Sequence, residues 1–210
     1  MKDLNLFVTE KLHVDKNIET DKYSSHPKNK AELIKILYNR LSEEGSQDLN
    51  DIDVSEITDM SCLFKDVANF IEIIDVSEWD VSNVKTMDGM FWHCDKFDCD
   101  LRNWDVSNVT DMFGMFLGCE NFKGNGLENW DVSNCKDFKS MFYDCKNFNA
   151  NLENWNVENG TDFRYMFADC KKFNGDVSGW GKTIEKLTRE YSAHMFRNSG
   201  VKKLPKWYKK

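Results

Sequence analysis

Apolar and polar positions along the middle of the chain recur with a fixed period. Trp79-Asp80-Val81-Ser82-Asn83-Val84 returns as Trp104-Asp105-Val106-Ser107-Asn108-Val109 and as Trp130-Asp131-Val132-Ser133-Asn134-Cys135. It returns more loosely as Trp155-Asn156-Val157-Glu158-Asn159-Gly160. Successive tryptophans from Trp79 to Trp180 are 25, 26, 25 and 25 residues apart. The extra residue falls in Gly124-Asn125-Gly126, where glycines can absorb a bulge. Other columns keep the same spacing: Phe91, Phe116, Phe142 and Phe167, each preceded by Met; Cys94, Cys119, Cys145 and Cys170; Phe97, Phe122, Phe148 and Phe173. A degenerate unit begins at Ile52 and continues through Phe70, and a diverged one runs from Trp180 to Trp207, six units in all. A period of this length marks a stacked array in which no unit buries its apolar face alone.

Within a unit, Asp-Val-Ser-Asn suits a tight turn. Thr86, Asp111, Asp137 and Asp162 are helix-capping types, and Met87, Met90 and Phe91 then follow at the spacing of one helical face. The stretches 97–101, 148–152 and 173–177 are short and bounded by turn residues, and are predicted as strands. The expected fold is an α/β repeat solenoid with one short parallel strand and one short helix per coil. Residues 29–44 predict an amphipathic helix with the stripe Leu33, Ile34, Leu37 and Leu41, stopped by Gly45, that caps the first coil. The expected organisation is an N-terminal segment 1–28, partly flexible and ending in a polar linker through Ser24-Ser25-His26-Pro27; the capping helix and its connection, 29–50; the repeats, 51–180; and a diverged capping coil with a basic tail, 181–210.

The run Phe-Asn-x-Asp-Leu-x-x-Trp-Asp-Val-Ser-Asn-Val-Thr-Asp-Met-x-x-Met-Phe-x-x-Cys resembles the repeat of BspA-like leucine-rich-repeat proteins, which occur among bacterial surface proteins and in phage and prophage genes. The resemblance covers 51–180 well and 181–207 poorly. It implies leucine-rich-repeat-like right-handed coils and a binding role. Many such proteins carry a signal peptide or wall anchor, and this chain is read as having neither.

Charge is uneven. The chain carries net −8, but residues 51–180 hold 11 Lys+Arg against 25 Asp+Glu, and residues 181–210 hold 9 against 2. An acidic body repels nucleic acid. The apolar stretch at Leu4, Leu6, Phe7 and Val8 is too short for a secretory core or a membrane span. A cytoplasmic protein with reduced thiols is therefore expected.

Candidate chemistry thins out on inspection. Successive column cysteines are a full unit apart and no Cys-x-x-Cys occurs, so they read as buried thiols rather than metal ligands. Asp80, Asp105 and Asp131 read as turn closers, because the Gly-rich nonapeptides of calcium-binding repeats are missing. His13, His26, His93 and His194 share no register, and neither catalytic motifs nor cofactor fingerprints are present. The tryptophans are core rungs, or else the one aromatic stripe placed to line a surface edge with free N–H groups. The reading is a non-enzymatic scaffold that binds a protein, without cofactor, nucleic acid or membrane. Its contacts are expected among exposed residues that change from unit to unit: Arg102, Lys123, Glu128, Lys146, Glu153, Tyr165 and Lys171. The alternative is a structural or packaged component of a phage particle, since Met1–Glu10 looks somewhat like the packaging peptides of proteins loaded into tailed-phage heads.

Overall fold

The computed structural model describes residues 21–42, 47–65 and 74–208. The repeating units lie one on the next. Parallel bridges join Asp59 to Thr86, Thr86 to Asp111, Asp111 to Asp137 and Asp137 to Asp162, one residue per layer. After each bridge residue, alternate N–H groups cross to the following layer. Gly89, Phe91 and His93 donate to the carbonyls of Phe113, Met115 and Leu117 at 2.7, 2.9 and 2.7 Å. The N–H groups between them close turns inside the layer, Met90 to Met87, Trp92 to Gly89 and Cys94 to Phe91. No backbone donor from Met87 to Cys94 is left over, since Met87 reaches Asp111 and Asp88 reaches the Thr86 hydroxyl. Buried backbone can persist in such a turn-rich form only because this accounting closes.

These segments are not the short helices that the spacing predicts. Two residues per layer sit in the left-handed region: Gly89 and His93, Gly114 and Gly118, Ser140 and Asp144, Tyr165 and Asp169. A left-handed residue at every fourth position breaks a helix before it completes a turn, while still bringing Met87, Met90 and Phe91 to one side. Nor does a strand form at 97–101, 148–152 or 173–177. Phe97, Cys99 and Leu101 point inward alternately, but side chains intercept the ladder bonds. The N–H of Lys123 goes to the Asp98 carboxylate at 2.9 Å, and that of Asn174 to the Asn149 amide oxygen at 3.0 Å. The strands among the described residues are β1 (Gln47–Asp48) and β2 (Ile74–Asp75), paired in parallel.

The inward columns stack. Phe91, Phe116, Phe142, Phe167 and Phe196 lie ring over ring at 5.5, 5.7, 5.7 and 5.8 Å between centroids. Trp104, Trp130, Trp155 and Trp180 do so at 6.3, 6.4 and 6.3 Å, with planes within 9° of parallel. The column tryptophans line no edge: Trp79, Trp104, Trp130, Trp155, Trp180 and Trp207 are buried, and all of these but Trp180 donate their indole N–H to a carbonyl one layer back. Asn83, Asn108, Asn134 and Asn159 make a parallel ladder of their own, each amide donating to a serine carbonyl of the layer before at 2.8–2.9 Å.

Trp180 breaks the indole pattern. Its buried N–H has no partner among the described residues. Trp155→Phe loses a 2.8 Å bond to the Leu127 carbonyl, which keeps only the Trp130 N–H at 3.2 Å, whereas Trp180→Phe removes a group already unanswered. Urea unfolding should therefore find Trp180→Phe milder by about 1–2 kcal/mol; equal losses would refute the indole-bond account.

At the N-terminal end, α1 (Lys30–Leu41) starts at Asn29, whose side chain accepts the Glu32 N–H. Leu33, Leu37 and Leu41 enter the core, whereas Ile34 is 42% exposed and leaves the predicted stripe. The stretch before it is not a linker. Ser24 N–H donates to the Asp51 carbonyl at 2.7 Å, Ser25 bridges to Ile52, and His26 sits between Asp21 and Asp53 at 2.7 and 3.1 Å. The predicted stop at Gly45, the column position Phe70 and the packaging-like residues 1–10 lie outside the described residues. At the other end, Phe163, Tyr165, Phe167 and Asp169 donate to the carbonyls of Tyr191, Ala193, Met195 and Arg197, so 181–207 supplies a further layer. Trp180 to Met195 is four residues longer than the matching stretch in earlier units, and the extra length is taken up around α2 (Gly181–Ile184). No helix among the described residues is long and apolar enough to cross a membrane.

Candidate interaction surface

Because the turns send positions two, five, six and nine of each segment inward, the remaining positions face outward as columns. In the layer from Thr86 the exposed or half-buried ones are Asp88, Trp92 and His93; from Asp137 they are Lys139, Tyr143 and Asp144. This outward face carries aromatic rings capped by cations from neighbouring layers. Lys65 lies 4.4 Å from the Trp92 ring, Lys139 5.2 Å from Phe113 and Arg164 5.4 Å from Tyr191. Arg197 serves two rings, Tyr143 at 5.7 Å and Tyr165 at 5.4 Å, and donates to the Tyr143 hydroxyl at 3.0 Å. The same guanidinium pairs with Asp169 at 2.9 Å. Burial alone would push the Asp169 carboxyl up, but Arg197, Asn198 and Lys171 together hold it below its ordinary value. His194 stacks on Tyr165 at 5.1 Å. The result is an ordered patch of half-exposed rings and fixed cations.

Of the predicted contacts, Tyr165 belongs to this patch. Arg102, Lys123 and Glu128 meet elsewhere, around the Gly124–Gly126 bulge, in an open polar cleft of about 640 Å³ that Lys172 also lines. Lys146 pairs with Glu120, and Lys171 reaches Asp169 and the Asn198 carbonyl. Glu153 is exposed and joins neither group. Sequence reasoning passed over Trp92, Phe113, Tyr143, Arg164, Tyr191 and Arg197. Their signal was present, since Trp92, Tyr143 and Arg197 share one outward column and Phe113 and Arg164 another, each at a fixed offset from the bridge residue.

The repeated acids and thiols are structural in place. Asp80, Asp105 and Asp131 each accept the N–H of the serine two residues on. The thiols of Cys119, Cys145 and Cys170 donate to the carbonyls of Phe91, Phe116 and Phe142 at 3.0, 2.9 and 2.8 Å, one rung per layer. No cluster of three or more His, Cys, Asp or Glu able to hold a metal occurs among the described residues. Burial pushes the Cys94 and Cys99 thiols up to about 12, and those of Cys119 and Cys145 well up too. At pKa 12 the thiolate population falls roughly a thousandfold below that of an ordinary thiol. Iodoacetamide on the native protein should therefore label the partly exposed Cys62 and spare the six buried cysteines until urea is added. Early alkylation of Cys119 or Cys145, read by peptide mass spectrometry, would contradict this packing.

The family described as Mycoplasma protein of unknown function, DUF285, matches residues 34–126 and 100–207. No curated protein and no solved structure matches the chain.

Proposed function

The chain belongs to the DUF285 family of Mycoplasma proteins of unknown function, and from that footing we propose that it is a non-enzymatic scaffold that binds a protein partner through the outward aromatic–cation columns. We read its stack as a solenoid of leucine-rich-repeat-like right-handed coils of the BspA kind. The recurring columns and the ladder of cross-layer hydrogen bonds support that reading. The observation that carries the function is the division of labour along each segment. Inward positions stay Met, Phe and Cys, while outward ones change from Trp92 to Leu117 to Tyr143 in successive layers. Tyr, Trp and Arg are the side chains that concentrate binding energy at protein interfaces, and here Arg197, Tyr143 and Tyr165 are already mutually ordered, so little entropy is lost on docking. A cytoplasmic setting suits the unpaired thiols.

The test is a comparison of captured partners. Wild-type protein and the Tyr143→Ala/Tyr165→Ala double variant are immobilised side by side, and retained proteins are identified and quantified. A partner held by the wild type should be weakened about thirtyfold or more by the double variant, the scale of a hot-spot loss. Equal retention by both would remove this surface from the interface.

A further inference from the structure

The last layer ends where an interior layer has a successor. In the layer before it, the left-handed Tyr165 and Asp169 send their N–H groups onward, to the carbonyls of Ala193 and Arg197 at 3.1 and 2.7 Å. Their counterparts His194 and Asn198 are left-handed as well, but no acceptor among the described residues receives their N–H groups. Two hollows of about 630 and 570 Å³ open at this end; Phe196, Val201 and Leu204 line both, and His194 and Asn198 line the second. Lys202, Lys203 and Lys206 edge the first and outnumber its one carboxylate, Asp176; Arg189 and Arg197 edge the second. Tyr208 stands edge-on to Phe196 at 5.1 Å and walls the second hollow. The end is thus apolar at its floor, cationic at its rim and short of hydrogen-bond acceptors.

We propose that this end of the stack binds an acidic, extended segment of a partner protein that carries large apolar side chains. Its carbonyls accept the N–H groups of His194 and Asn198, continuing the ladder by the kind of addition seen at open sheet edges. Its apolar side chains enter the hollows, and its carboxylates meet Lys202, Lys203 and Lys206. Charge complementarity selects an acidic occupant, because residues 181–210 hold 9 Lys+Arg against 2 Asp+Glu. This end shares Arg197 and His194 with the Tyr143–Tyr165 patch, but Lys202, Lys203 and Lys206 stand apart from it, so reversing those three lysines tests this proposal while leaving that patch in place.

The test uses the full chain and a fluorescent synthetic peptide alternating glutamate with leucine and phenylalanine, followed by anisotropy. Saturable binding is expected, weakened about tenfold or more by the Lys202→Glu/Lys203→Glu/Lys206→Glu variant and unchanged by Lys136→Glu on the exposed body. Leu204→Asp should weaken it too, with circular dichroism confirming that each variant folds. The proposal is overturned if polyglutamate or a single-stranded oligonucleotide binds as tightly as the peptide, which would leave only unspecific attraction. It is also overturned if the triple charge reversal has no effect, or if sedimentation shows that the end is closed by a second copy of the chain.

Discussion

Replacing Phe116 with alanine is expected to lower the unfolding free energy by about 3–5 kcal/mol, the range for emptying a buried aromatic site. Its ring is fully buried between Phe91 and Phe142, at 5.5 and 5.7 Å, and lies 4.2 Å from Phe122 in its own layer. The site cannot collapse easily, because the rings above and below are held apart by the cross-layer ladder. Phe116 N–H donates to the Met141 carbonyl at 2.9 Å, and Phe91 N–H to the Met115 carbonyl at 2.9 Å. The cavity should therefore persist, which puts the loss at the upper part of the range. Phe196→Ala is the matched control, since Phe196 stacks on Phe167 on one side only and keeps some exposure. It should cost visibly less in the same urea titration.

A second feature should accompany the first loss. In a stack, each layer is stabilised by its neighbours, so weakening a middle layer uncouples the two ends. The Phe116→Ala transition should broaden or split, with a smaller apparent slope against urea, while Phe196→Ala keeps a single step. A Phe116→Ala protein that unfolds in one sharp step with an unchanged slope would mean that the layers do not communicate through these rings.

The columns were legible in the sequence because stacking forces the same residue type into the same place in every layer. Trp104, Trp130 and Trp155, or Cys119, Cys145 and Cys170, announce their alignment without reference to backbone form. The backbone form itself was not legible from that pattern. Apolar residues at Met87, Met90 and Phe91 have the spacing of a helix face, and the chain of left-handed turns delivers the same three residues to the same side. The distinguishing signal lay in the unassuming positions: Gly89, Gly114 and Gly118 mark left-handed sites, while Ser140, Asp144, Tyr165 and Asp169 hide them by filling the same columns with ordinary side chains. The strand expectation at 97–101 went astray because Asp98 takes a backbone N–H that a ladder would have used. The aromatic–cation face was only partly legible. Its pairs join different layers, Lys65 with Trp92 and Arg164 with Tyr191, so that no local window contains both members.

Gly126→Ala is expected to cost about 2–5 kcal/mol, from about 1–2 for placing a side chain in the left-handed region and about 1–3 for overpacking. The spacing of 26 between Trp104 and Trp130 leaves one residue to be absorbed, and the chain turns there through Gly124 and Gly126 at φ of 86° and 89°. A Cβ on Gly126 would meet the backbone of the layer before, 2.7 Å from Arg102 Cα and nearer still to its nitrogen. That backbone cannot retreat freely, because Leu101 N–H donates to the Asn125 carbonyl at 3.1 Å. Gly114→Ala separates the two contributions. Gly114 is also left-handed, but its Cβ would come no closer than 3.7 Å to Leu117, and the same column accepts Ser140 and Tyr165 in other layers. It should lose only the conformational part, about 1–2 kcal/mol. Equal destabilisation by the two substitutions, measured in urea, would show that the close approach to Arg102 does not constrain how the extra residue is stored.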